Sequence, residues 1–138
     1  GTLAIEKAKK NTSHIILASF LNIEAVTNYL IDKSRDVIIV CSGWRGRSCV
    51  EDLLLAGLLS CQLLKNSIFY AESDSFLLAK SIYNLSKSNM LHFLSESAYS
   101  KRMDLYDDMK YCLQQNIMKI VPVWSSSSYL NPEIGSFS

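Results

Sequence analysis

The feature that most constrains this chain is a change of period: an apolar, β-branched run gives way within a few residues to a leucine-rich helix. Residues 36–41 read Asp-Val-Ile-Ile-Val-Cys. A short continuous apolar stretch bounded by a charge and by Ser-Gly predicts a buried strand. From Val50 to Leu64 the composition becomes helical, with five leucines in the first ten positions. Between them lie Ser42, Gly43, Trp44, Arg45, Gly46, Arg47 and Ser48. Gly43 and Gly46 let the backbone turn tightly and approach a ligand. The helix would point its free N–H groups and positive dipole end back at this loop, as helix N-termini do when they hold phosphate or sulfonate groups. Arg45 and Arg47 can add charge-assisted contacts. The junction reads as an anion-binding loop, although many strand-to-helix turns carry Gly and a solvated Arg and bind nothing.

Two carboxylates follow at once, Glu51 and Asp52. The spacing of Ser48 and Glu51 fits a capping box, and Asp52 in the first turn would complement the helix dipole. Beside an arginine-lined loop the same pair could hold Mg²⁺ near a bound phosphate, as hard oxygen ligands do. Both uses stay open for each residue. Cys41, Arg47 and Ser48 also satisfy the C-x5-R-[ST] loop of cysteine-dependent phosphatases, in which a thiolate at a helix N-terminus attacks phosphorus. Val40 stands where such loops place His, and Trp44 is bulky for a loop that wraps a phosphate, so Cys41 reads better as a small apolar residue at a strand end.

At 138 residues the chain is one domain by length, large enough to bury a core. With 14 basic and 13 acidic residues the net charge is +1, which gives no field favouring nucleic acid or an anionic membrane. Cysteines at 41, 49, 61 and 112 show neither C-x-x-C nor paired His spacing, so no zinc site or disulfide framework is suggested, and a reduced, cytoplasmic setting fits. The longest apolar stretch, residues 53–64, is interrupted by Ser60 and Gln62 and is too short to span a bilayer. His14 and His92 are scattered and fit surface or core roles. No G-x-G-x-x-G or Walker loop is present, which weakens dinucleotide and ATP readings.

Along the chain, residues 3–10 predict a short helix capped by Thr2, and residues 14–20 a buried strand. Asn22 is placed to cap a helix over 23–33. The strand over 36–41 and the helix over 50–64 come next. A helix from Ser73 or Asp74 to about Leu85, two more over 89–97 and 104–115, and a third strand over 117–123 complete the order. Residues 125–138 are Ser-rich and read as a loop or tail after a domain over 1–124. The β-α-β-α order predicts a three-layer α/β/α fold with a largely parallel or mixed sheet and a helix-rich second half. If the strands are parallel, the loop at Asn22, the arginine loop and the region after Val123 share one crevice at their carboxyl ends.

Several of these motifs are collinear with a known family. Val40 to Arg47, then Glu51-Asp52 and Ala56-Gly57, resemble the 2-phosphosulfolactate phosphatase family's Cys-Ala-Gly-Trp, Gly, Glu-Asp and Ala-Gly sequence. Ser19-Phe20-Leu21-Asn22, Asp108-Met109-Lys110-Tyr111-Cys112 and Gly1-Thr2 are similar to further family segments. The resemblance runs from Gly1 to about Val123. It implies a magnesium-dependent phosphatase that converts 2-phospho-3-sulfolactate to 3-sulfolactate and phosphate, a step towards coenzyme M. It also implies an α/β layered fold roughly twice this length, of which the chain would be the C-terminal half. Its partners would be a small phosphorylated sulfonate and the missing N-terminal half, with no nucleic acid or membrane and with room for a homo-oligomer.

On this reading Asn22, Gly43, Trp44, Arg45, Gly46, Arg47 and Ser48 bind substrate. Arg47 and Asp52 serve catalysis, and Glu51 and Asp52 hold Mg²⁺. Two rivals remain: a metal-independent cysteine phosphatase using Cys41 and Arg47, and a non-catalytic anion-binding or assembly domain. The second draws on Leu3, where the family usually has Arg, and on residues 97–103, which lack a His-Gly-like segment.

Overall fold

The computed structural model describes residues 1–97 and 106–125. Most of the stretch 97–103 that departs from the family, the start of the helix expected over 104–115 and the tail after Ser125 lie outside the described residues. In chain order the elements are α1 (Thr2–Ala8), β1 (His14–Ile16), a 3-10 turn (Phe20–Asn22), α2 (Ile23–Lys33), α3 (Val50–Leu63), α4 (Asp74–Ser86), α5 (Met90–Ser95), α6 (Tyr106–Cys112) and β2 (Val123–Ser125).

The core is helical. On α2, Ile23, Val26, Thr27 and Leu30 are buried at the i, i+3, i+4, i+7 spacing of one helix face. Opposite stands α3, which buries Leu54, Leu58, Leu59 and Leu63 together with Gly57. Such a helix is apolar nearly all round because it is covered on more than one side, by α2 and by α4. Gly57 sets the approach of α4: a Cβ there would run into the Ala79 carbonyl and lie 2.7 Å from the Tyr83 Cβ. Between α2 and α3 the Thr27 hydroxyl donates to the Ile23 carbonyl (2.8 Å) and meets the Gln62 side-chain amide at 2.7 Å, so the one buried hydroxyl there is satisfied.

The helix expectations hold closely, with Ser73 accepting from the Phe76 N–H and Asn89 from the His92 N–H as the caps of α4 and α5. At α1 the N-cap is Gly1 rather than Thr2. The sheet differs from expectation. Its described part is two strands, β1 and β2, paired antiparallel with His14 opposite Ser125, Ile15 opposite Trp124 and Ile16 opposite Val123. Residues 36–41 form no strand. Mixed α/β character stands, while the parallel three-layer arrangement is not seen among the described residues. The physical reason is that a helix bonds to itself, whereas a strand exists only with a partner.

The antiparallel register also rearranges the loops. The exit of β1 faces the entry of β2, so Asn22 lies near residues 116–121, and the region after Val123 lies back beside His14. The crossing is bonded by Leu17 N–H to the Pro122 carbonyl (3.0 Å), Met118 N–H to Leu21 (2.9 Å) and Asn116 N–H to Phe20 (3.3 Å). Among the described residues no helix is long and apolar enough to cross a membrane.

Candidate functional site

The arginine loop is a tight hairpin. The Trp44 N–H donates to the Arg47 carbonyl (2.9 Å) and the Arg47 N–H donates back to Trp44 (3.0 Å). The two residues between them, Arg45 and Gly46, have φ of +50° and +75°. Positive φ at both central positions is what a two-residue type I′ turn requires. Gly46 suits that role, but Arg45 is a non-glycine residue held in the left-handed region, at a cost of order 1 kcal/mol. Its guanidinium lies over the Trp44 ring, 4.5 Å from the centroid, a cation–π contact that fixes where the charge points.

The hairpin is held to α3 by Asp52. Its Oδ2 accepts from the Gly43 N–H at 2.6 Å and from the Ser42 hydroxyl at 3.4 Å. Gly43 has φ +65°, and a Cβ there would lie 2.5 Å from the Arg47 carbonyl oxygen, so only glycine lets the two sides of the hairpin close. The backbone N–H groups of Gly43, Trp44 and Arg47 are thus all spent inside the protein. The loop is therefore a rigid mount for two guanidinium groups more than an open nest of amides. The described salt bridges are Lys9 with Glu6 and Lys33 with Asp32, so neither Arg45 nor Arg47 is neutralised by a described carboxylate.

At the start of α3 the N-cap is Cys49, without a side-chain cap, so the Ser48–Glu51 capping box is not formed. The Cys49 thiol lies close to the Glu51 and Asp52 carboxylates. That thiol is pushed above its ordinary value of 9.0 by burial first, then by the charges of Glu51 and Asp52 and the hydrogen bond to Glu51. The Cys41 thiol is likewise raised, by desolvation of its sulfur and then by Asp52, although the residue as a whole is exposed. A nucleophilic cysteine needs the opposite shift, toward thiolate at neutral pH.

Asn22 sits apart from this hairpin, with no described hydrogen bond to it. It is buried, and its Oδ1 accepts from the Ser19 N–H (2.8 Å) and hydroxyl (3.1 Å). Its Nδ2 donates to the carbonyls of Leu17 (3.3 Å) and Ile120 (3.0 Å). One carboxamide thus ties the exit of β1 to the crossing segment. Asn116 acts beside it, with Oδ1 accepting from the Glu24 N–H at 3.0 Å in the first turn of α2. Its left-handed φ of +63° is a conformation asparagine tolerates better than most residues, and that tolerance is the signal by which the sequence could have marked it.

Among the described residues no three His, Cys, Asp or Glu side chains gather as a metal site. The oxygen donors near the arginines are Glu51 and Asp52, and no described hydrogen bond uses Asp52 Oδ1. Mg²⁺ is commonly held by one or two carboxylates, with waters and substrate phosphate completing the shell, and Asp52 Oδ1 is one such oxygen left over beside the loop.

Against known proteins, the family model described as 2-phosphosulpholactate phosphatase matches residues 1–127. The chain belongs to this family. A protein of Thermotoga maritima named "Probable 2-phosphosulfolactate phosphatase" is 31% identical over 136 residues, covering 96% of this chain and 57% of its own. One of Nostoc sp. with the same name is 28% identical over 131 residues, covering 89% of this chain and 53% of its own. The chain therefore spans about half the length of the curated relatives it matches. Within the family region the Glu-Asp and Ala-Gly motifs acquire separate physical roles here: Asp52 holds the hairpin, and Gly57 lets α3 and α4 touch.

Proposed function

We propose that this chain carries the anion-binding part of a magnesium-dependent phosphatase that hydrolyses 2-phospho-3-sulfolactate to 3-sulfolactate and phosphate, a reaction of the coenzyme M type. The observation that carries the reading is the pair Arg45 and Arg47, mounted on a hairpin fixed by Asp52 and without a carboxylate partner among the described residues. A substrate with a phosphate and a sulfonate offers two compact anions to two guanidinium groups, each able to take bidentate contacts.

In this scheme Arg45, stacked on Trp44, holds one anionic group, and Gly43, Gly46 and Ser48 shape the loop around it. Arg47 lies against the phosphoryl oxygens and balances their charge as the ester bond breaks. Glu51 and Asp52 Oδ1 would hold Mg²⁺, whose chemistry is to polarise the phosphoryl oxygen and ready a water for attack. Asp52 serves twice, since its other oxygen keeps the hairpin in register with the helix. Asn22 contributes by fixing the loop after β1. A reduced, cytoplasmic setting belongs to the same proposal, suited by cysteines at 41, 49, 61 and 112 without disulfide-framework spacing.

The test is phosphate release from 2-phospho-3-sulfolactate by a polypeptide of full family length carrying this sequence. Activity should need Mg²⁺, vanish in EDTA, and fall about 10²-fold or more in Arg47→Ala. Release that survives EDTA but is lost in Cys41→Ser would replace this reading with a cysteine phosphatase. Absence of release from any phosphate ester would leave an anion-binding domain.

A further inference from the structure

Arg45 is held in a conformation that a glycine would adopt freely. The turn asks two adjacent residues for positive φ, and only Gly46 is a glycine. Position 45 keeps a long, charged side chain against that demand. The hairpin closes through backbone bonds between Trp44 and Arg47 and through Asp52 on Gly43, none of which involves the Arg45 side chain. Strain held at one residue of a candidate binding loop, and not needed to close the loop, points to what that side chain does for a ligand.

The two arginines are placed differently. Arg47 stands on the limb that leads through Ser48 into α3, whose first turn carries Glu51 and Asp52. Arg45 occupies the tip, away from the anchor that Asp52 makes at Gly43. Trp44 is half-buried and Arg45 exposed, so the ring, 4.5 Å from the guanidinium, is a platform beneath an accessible charge. A guanidinium laid over an aromatic face keeps its N–H donors in its own plane and can still grip an oxyanion with two of them at once. On the phosphatase reading the scissile phosphoryl group belongs with Arg47 and the two carboxylates, which leaves the tip for the rest of the substrate.

We propose that Arg45 is the specificity-determining residue of this site and that it selects the sulfonate, the anion that is not transferred. The inference deepens the phosphatase reading and rests on it for the substrate. A sulfonate spreads one charge over three oxygens and stays ionised at neutral pH, which suits the weakly hydrated guanidinium fork better than it suits a compact cation. A site divided in this way takes phosphate monoesters that carry a second strong-acid anion near the ester carbon, and discriminates against the same ester without it. The sulfonate lies away from the breaking bond, so its contact is equally strong before and during the reaction and belongs in KM.

The experiment compares 2-phospho-3-sulfolactate with 2-phospholactate, the same ester with hydrogen in place of the sulfonate, in a polypeptide of full family length carrying this sequence. The parent should favour the sulfonated ester in kcat/KM by about tenfold or more, as expected of a hydrogen-bonded charge pair. Arg45→Gly, in which the turn is free of strain, should erase that preference through a raised KM. Arg45→Lys should restore only part of it, because an ammonium lacks the fork. Arg47→Ala should lower kcat on both esters and keep their ratio. No preference in the parent, a preference untouched by Arg45→Gly, or one lost in Arg47→Ala would overturn the inference and leave the phosphatase reading standing. If neither ester is hydrolysed, the phosphatase reading fails and calorimetry decides the assignment. The parent should then bind 3-sulfolactate about tenfold or more tighter than lactate, with the difference gone in Arg45→Gly. Equal binding of the two by the parent, or a difference that survives Arg45→Gly, would overturn the assignment as well.

Discussion

The two sides of the arginine hairpin make the instructive contrast in this molecule. After it, α3 is buried against α2 and α4 and satisfies its own backbone. Before it, residues 36–41 have stronger β-character than any other segment and no partner among the described residues. Hydrophobicity alone does not separate them, since both are rich in aliphatic residues. What separates them is where the backbone hydrogen bonds go: a helix closes them within itself, and a strand must borrow a neighbour.

Substitutions on the helical side should have the largest effects. Leu54 is fully buried in the centre of α3, so Leu54→Ala should cost about 3 kcal/mol in urea unfolding. Gly57→Ala should cost about 2 kcal/mol, because the added methyl meets backbone of α4 and cannot be relieved by a side chain turning aside. A Gly57→Ala protein as stable as the parent would show that α3 and α4 are further apart than described.

At the hairpin the effects should be smaller and of both signs. Gly43→Ala combines a positive φ with a clash at the Arg47 carbonyl and should open the hairpin at about 1–2 kcal/mol, seen as lost amide protection at Trp44 and Arg47. Arg45→Gly should run the other way, gaining up to about 1 kcal/mol by relieving the left-handed arginine, while weakening phosphate binding. If stability and binding moved together, the strain at Arg45 would have no functional meaning.

The thiols give a pH test. The raised Cys41 and Cys49 values mean that the folded state holds these protons more tightly than the unfolded chain does. Their contribution to stability is full below the unfolded value of 9.0 and is lost as pH rises beyond it, and alkylation of both should be slower than that of a free cysteine at pH 8.5. Smallest of all, Ile38→Asp should change the stability of this chain by less than about 0.5 kcal/mol, a value expected of a surface residue and foreign to an isoleucine in a strand.

The helices were legible in the sequence because their signals are local. Ser73 and Asn89 cap where side-chain oxygens can reach a free N–H, and the 3.6 period of Ile23, Val26, Thr27 and Leu30 marks one buried face. The residues of the arginine loop were legible as well, but its shape was not. Gly43 and Gly46 announced a turn without saying that Arg45 would share the positive φ, since a non-glycine residue gives no such signal, or that Asp52, nine residues on, would take the Gly43 N–H. The arrangement of the sheet was less legible for a different reason. A β-branched run reports a willingness to pair, and neither the direction nor the presence of the partner is written in it. Asn22 lies between these cases: its position before α2 was readable, while its bond to Ile120, far along the chain, was not.

The most direct measurement is native-state amide exchange across the hairpin in this chain alone. A sharp boundary should fall between Cys41 and Gly43: amides of residues 37–41 exchanging near the rate of an unstructured peptide, and those of Gly43, Trp44, Arg47 and α3 protected. Protection of residues 37–41 equal to that of α3 in the dilute chain would show that the strand already has its partner, and would contradict the account.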